Sequence, residues 1–275
     1  MTDLEIPTVT KQQIISGLQA LGVEAGQTLM LHASVKAIGW ILGGPIVVLE
    51  ALMDVLTPDG TVMMMVSWEG NPYQMAGWPA EQQALCLAEC PPFHPATSPA
   101  DHRTLSILTE YLRTWPGACR STHPLASFAA VGKKASWLTE RHSLHYNHGL
   151  DSPLARLCES PGQILLLGAP FSNITLLHHA EHLANIPDKR LDRYRMPILQ
   201  DGQRVWVEIE EFDTSNGIAN FGNWDYFLDI GQAYVASGKG QSTQIGNAPC
   251  YLFNADDLKH FGITWMEQNY KSPAR

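Results

Sequence analysis

Apolar positions along this 275-residue chain follow two rhythms. One is helical. Thr10-Lys11-Gln12-Gln13 has the form of a capping box, in which a hydroxyl and a Gln side chain each satisfy a backbone N–H at a helix start. Ile14, Ile15, Leu18 and Leu21 follow at helical spacing, and Gly22 stops the run. Pro45 suits a first helical turn, with Leu49, Leu52, Met53 and Leu56 on one face after it. Leu105, Leu108, Leu112 and Trp115 mark a further helix closed by Pro116-Gly117, and another is expected from about Thr175 to Asn185. The other rhythm is a set of short apolar runs that read as strands: Gln27–His32, Thr61–Val66, Ser127–Val131, Gln163–Leu167 and Pro249–Phe253. Asp59-Gly60 turns the chain into the second of these. Asp201-Gly202, between Arg195–Leu199 and Arg204–Ile209, predicts a tight β-hairpin, and Asn254 caps a final helical stretch.

Buried strands alternate with helices through the first two thirds, and the hairpin comes late. The expected class is α/β: a three-layer α/β/α protein with a central mixed sheet and a late β-hairpin. There is no repeat, linker or low-complexity segment, so residues 1–275 read as a single domain. Glu69–Ala100, rich in Pro, Gly, Trp and Tyr, reads as a long connection of the kind that often binds ligands.

Composition narrows the setting. No apolar run approaches the ~20 residues of a membrane-spanning helix. The first residues lack a basic region followed by an apolar one, so no signal peptide is read. Five scattered cysteines with no Cys-x-x-Cys pair argue against a disulfide framework and a cysteine zinc site, and fit reduced thiols in a cytoplasm. A net charge of −9 repels phosphate backbones, which makes nucleic acid a poor partner, and attracts polycations.

Four segments carry candidate chemistry. In Thr175–His182, residues His178, Glu181 and His182 share one helical face, while His179 looks elsewhere. A carboxylate beside an imidazole fixes its tautomer and raises its basicity, which makes His178 with Glu181 a candidate general-base pair. The same residues fit His-x-x-Glu-His, so a zinc hydrolase using His178, Glu181 and His182 is the alternative. Arg120, Ser121, His123 and Ser127 precede a strand, where an arginine and hydroxyls could hold phosphates or carboxylates. The loop His32-Ala33-Ser34-Val35-Lys36 follows the first strand and could cradle an anionic or amide-bearing cofactor. Glu208, Glu210, Glu211 and Asp213 crowd four carboxylates into six residues, a density that a cationic ligand or water relieves.

Together, and in order along nearly the whole chain, these segments resemble the aminoglycoside 3-N-acetyltransferase family. The shared features are His32–Gly39, Gly117–Ser127, Thr175–Glu181 and Asp213–Gly217, with Asp59-Gly60-Thr61, Ser67-Trp68, Ser152-Pro153 and Gly162–Gly168 between them. Two positions depart from the family pattern: His94 stands where Phe-Asp-Pro is usual, and Ser106 where a glycine is common. The resemblance implies an acetyl-CoA-dependent enzyme that acetylates the 3-amino group of the 2-deoxystreptamine ring of aminoglycoside antibiotics. It implies direct transfer without a metal; homodimer and monomer both stay open, since no interface signature is readable. The loop 32–39 and the segment 120–127 would hold the pantetheine and phosphate arms of the cofactor, and backbone amides with Ser34 or His123 would steady the oxyanion. Glu69, Tyr73, Glu211, Asp213 and Asn216 would meet the polycationic drug.

Overall fold

A computed structural model describes residues 8–222 and 225–271. In chain order the elements are β1 (Thr8–Val9), α1 (Lys11–Ala20), β2 (Thr28–Ala33), α2 (Val35–Ile38), β3 (Trp40–Ile41), α3 (Ile46–Leu56) and β4 (Thr61–Met65). Then come α4 (Ala80–Glu89), α5 (Ile107–Arg113), β5 (Cys119–Arg120), β6 (Phe128–Gly132), α6 (Ala135–Thr139), α7 (Pro153–Glu159), β7 (Gln163–Leu167) and α8 (Leu176–Leu183). The chain closes with β8 (Leu191–Gln200), β9 (Gln203–Phe212), α9 (Tyr226–Ala236), β10 (Gln241–Ile245), β11 (Ala248–Asn254) and α10 (Ala255–Asn269).

Seven strands form one sheet in the order β10-β11-β7-β2-β4-β6-β5. β7, β2 and β4 run parallel at its centre, and the flanking strands are antiparallel. The central strands are apolar throughout because both their faces are covered. Alternate residues enter separate cores: Leu29, Leu31, Val62, Met64 and Leu165 pack with α1 and α3. Met30, Met63, Ile164 and Leu166 pack with α7, α8 and α10 on the opposite face. This is the expected three-layer α/β/α arrangement.

The hairpin stands apart as a two-stranded sheet, β8 with β9, longer than the pattern predicts. Its two-residue turn places both Asp201 (φ 51°) and Gly202 (φ 75°) in the left-handed region, as a primed turn requires. Its inner face, Tyr194, Met196 and Ile209, packs with Trp68 and Phe93 as a third core.

The capping box at Thr10–Gln13 forms, and Asn254 caps α10. Five helices lie outside the predicted set: α2, α4, α6, α7 and α9. Of these, α4 falls in the stretch read as a long connection, and none of its residues is buried, so it offers no apolar stripe to read.

The connections leaving β2 and β7 go to opposite faces, since α3 belongs to the first core and α8 to the second. Such a divergence opens a crevice at the C-terminal ends of parallel strands. Gly168 lets the chain leave β7 there: its φ is +70°, and a Cβ would lie 2.7 Å from that of Ala37.

Candidate active site

Three cavities open beyond the strand ends, and His178 lines all three. The first (≈ 270 Å³) is walled by His32 and Ala33 of β2, Met64 and Met65 of β4, and Ser106, Ser172, Asn173 and Thr175. The second (≈ 300 Å³) adds Glu181, Thr214, Ser215, Asp225 and Tyr226. The third (≈ 290 Å³) is bounded by Tyr73, Asn147, His148, Asp192, Tyr194 and Glu211.

Leu176, Leu177 and Ala180 anchor α8 in the second core and turn residues 178, 181 and 182 toward the crevice. His178 Nδ1 lies 2.6 Å from Glu181 Oε2. A carboxylate only accepts, so Nδ1 carries the proton and the lone pair resides on Nε2. The ring is 25 % exposed, whereas Glu181 is fully buried. Tyr226 donates its hydroxyl to the other Glu181 oxygen. Burial, together with that carboxylate, drives the Tyr226 phenol far above its usual range, so it stays a donor.

The His148 ring stacks on His178 at 5.2 Å with planes 13° apart. Burial and the neighbouring imidazoles hold His148 well below the usual histidine range, so it is neutral.

His182 behaves differently. Its Nδ1 faces the His178 carbonyl at 2.7 Å and its Nε2 faces Glu211 Oε1 at 2.7 Å. Both nitrogens face acceptors, so the ring is held between the α8 backbone and the Glu211 carboxylate. The pair is buried, with side-chain exposures of 3 % and 6 %. Glu211 also accepts the backbone N–H groups of Asn147 and Phe212. His178 and His182 therefore do not converge on a common point. Among the described residues no set of three His, Cys, Asp or Glu is placed to hold a metal ion, so the geometry lends no support to the zinc alternative.

Four buried side-chain polar atoms lack a hydrogen-bond partner among the described residues: His32 Nε2, Asn147 Oδ1, His148 Nδ1 and Tyr194 Oη. All four belong to residues that line the first or third cavity. Unmet polar groups are uncommon in native interiors, and here they concentrate where ligands would lie.

The remaining expected site residues divide. His32 lines the first cavity, and Ser34, Val35 and Lys36 begin α2 immediately beyond it. Burial pushes His32 down to about 4, so it is neutral there. Arg120, Ser121, His123 and Ser127 are not brought to the cavities. Arg120 Nε donates to Ser127 Oγ (3.0 Å), and its other nitrogens donate to the carbonyls of Val66, Ser98 and Pro95. Ser121 joins His142 to the backbone of Phe128. His123 Nδ1 accepts from Ala126 N and its Nε2 donates to the Leu144 carbonyl, which leaves no donor for an oxyanion.

On the drug side, Tyr73 and Glu211 line the third cavity. Glu69 instead pairs with Arg103 at 3.2 Å. Asp213 accepts from Asn216 in its own turn, and Asn216 borders a separate depression beside Arg190. Of the two departures from the family pattern, Ser106 caps α5 and lines the first cavity. His94 holds a local turn, its Nδ1 accepting from Ala96 N.

Sequence reasoning missed Tyr226, His148, Asn147, Tyr194 and Asp192. One signal was available: Asp192 shares strand parity with Tyr194 and Met196, which puts an acid in an inward-facing register.

The sequence profile of the aminoglycoside 3-N-acetyltransferase family matches residues 30–267. An aminoglycoside N(3)-acetyltransferase III from Pseudomonas aeruginosa is 48% identical over 274 residues, covering 100% of this chain and 99% of the relative. A solved structure of AAC-IIIb in binary complex with CoASH has a TM-score of 0.90 and 41% identity, over 98% of this chain and 100% of that one. AAC-VIa bound to sisomicin has a TM-score of 0.90 and 34% identity, over 97% and 100%. A crevice built around a carboxylate-bound imidazole, with matches of this extent, has one reading: the chain belongs to the aminoglycoside 3-N-acetyltransferase family and is an acyltransferase of that class.

Proposed function

We propose that the protein transfers the acetyl group of acetyl-CoA directly to the 3-amino group of 2-deoxystreptamine aminoglycosides, with His178 as general base. One observation carries the reading: His178 stands where three cavities meet, its Nδ1 bound to a buried carboxylate and its Nε2 left with the lone pair.

The first cavity suits the thioester arm of the cofactor. Leu31, Met64 and Met65 give it an apolar wall, and Ser106, Ser172 and Asn173 supply hydrogen-bonding groups. The orphaned His32 Nε2 belongs to the same lining. Ser34, Val35 and Lys36 at the rim would meet the cofactor further out. Acetyl-CoA supplies the activated acetyl group.

Protonated amines do not attack a carbonyl. His178 Nε2 removes that proton, Glu181 balances the charge the ring acquires, and Tyr226 holds Glu181 in place. Asn173 lines both cavities beside His178, and its side-chain amide is the donor we assign to the negative charge that builds on the acetyl oxygen, since Ser172 Oγ already donates to Asp225. Asp213, whose charge is felt at Tyr73, adds negative potential on the drug side. No cysteine lines these cavities, consistent with transfer without an acyl-enzyme.

The test is drug-dependent release of CoA thiol, with product NMR to locate the new amide. Replacing His178 with Ala is expected to lower kcat by at least ~100-fold, the lower end of general-base contributions. Near-normal turnover in His178→Ala, with cofactor binding intact, would remove the imidazole from the mechanism.

A further inference from the structure

The third cavity presents two carboxylates that are not equivalent. Asp192 on β8 and Glu211 on β9 lie directly opposite in the hairpin register, so their side chains leave the same face of the ribbon. Like charges so placed repel unless each is compensated. Glu211 is compensated: His182 pairs with it, and two backbone N–H groups bond to it. Asp192 has no cationic partner among the described residues. Its Oδ2 accepts only the neutral Tyr73 hydroxyl, at 2.6 Å, and Tyr73 Oη lies 3.2 Å from Ser215 Oγ. Burial, then the Asp192 contact, pushes Tyr73 up to about 12, so it remains a donor and orients the carboxylate without cancelling its charge.

A second observation marks the same place as made for a ligand. Tyr194 Oη and Asn147 Oδ1 are buried, make no well-formed hydrogen bond, and belong to the lining of this cavity, where the two side chains neighbour each other. An ammonium group has three donors and no acceptor, and so needs a set of oxygens around one negative charge. The ≈ 290 Å³ cavity with Asp192, Tyr194 and Asn147 offers that set, and His178 stands at its other side.

We infer that Asp192, oriented by Tyr73, anchors a second, non-reacting ammonium group of the polyamine substrate and so directs which amine meets His178. Glu211 serves a different purpose. Its oxygens are already engaged by His182 and two backbone N–H groups, and it fixes His182 at the end of α8. The inference rests on the acetyl-transfer reading and refines its specificity.

The experiment uses matched aminoglycoside pairs that differ by a single amino-for-hydroxyl replacement, assayed by thiol release. Wild-type enzyme is expected to favour the amine over the hydroxyl by about tenfold in KM for at least one pair, the scale of a charge-assisted hydrogen bond. In Asp192→Asn that preference is expected to collapse to within about twofold, with KM for acetyl-CoA unchanged. Tyr73→Phe keeps the charge but frees its orientation, and should lose part of the same preference. Should both variants keep the wild-type preference on every pair, or lose drug and cofactor affinity in parallel, Asp192 is not the anchor. Absence of drug-dependent thiol release by the wild type is a separate outcome. It removes the acetyl-transfer reading, and this inference with it.

Discussion

Arg120 shows how a residue type can suggest one role while its surroundings dictate another. Its guanidinium reaches four acceptors inside the protein and lies over the Phe93 ring at 5.0 Å from the centroid. Burial lowers it to about 9, still well above neutral, so the charge persists and the surrounding carbonyls satisfy it. It joins the end of β4 to the 95–98 turn. A lysine carries the charge without the planar fork and leaves several of those carbonyls unmet. Arg120→Lys is therefore expected to lower unfolding stability by about 2–4 kcal/mol, from the cost of unsatisfied buried groups. Urea denaturation measures this, and KM for acetyl-CoA should hold steady in the folded variant. A selective rise in that KM would return Arg120 to the cofactor site. The pairing of His178 with Glu181 was legible because i,i+3 spacing on a helix is local information. That Glu211 would be bound by His182, 29 residues away in the chain, was not, since only the tertiary fold brings the two together.

At the scale of elements, strands were easier to read than exposed helices. β2, β4 and β7 are apolar on both faces and announce themselves. α4 presents no buried side, and its only written signals are Pro79 ahead of it, Glu81 in its first turn and Pro91-Pro92 after it. What holds α4 is the hairpin. Arg204 on β9 donates to the carbonyls of Ala88 and Cys90, and Trp206 Nε1 donates to that of Leu87. These are among the terminal acceptors a helix cannot satisfy for itself. Phe93, bridged to Ile198 of β8, continues the attachment. Arg204→Ala is expected to raise amide hydrogen exchange across residues 80–90 by about tenfold, consistent with losing roughly 1–2 kcal/mol of local hydrogen bonding. Exchange there equal to wild type would mean that α4 is held by something else.

For the whole molecule, the notable inventory is histidine. The interior keeps His32, His142 and His179 near 4, chiefly by desolvation, and burial with neighbouring imidazoles holds His123 and His148 well below the usual histidine range. In an unfolded chain each would take up a proton near 6.5. Between those values the unfolded chain binds more protons, so stability falls as pH falls. Above about pH 6.5 the effect vanishes, and for the three histidines held near 4 it is complete below about pH 4. A single shift of that size corresponds to about 3 kcal/mol. Tm is therefore expected to drop steeply from pH 6.5 to pH 4. His142→Gln should start lower, because its bonds to Ser121 and Asn147 are lost, yet decline less steeply. An equally steep decline in the variant would place the acid sensitivity in other groups.

The meeting of three cavities on one imidazole has a further implication. On the proposed assignment of the first cavity to the cofactor and the third to the sugar, neither substrate fills the other's berth beside His178. Binding in either order is the expected consequence, and initial rates measured while both concentrations vary check it; an obligatory order would mean that one berth is completed by the other's occupant.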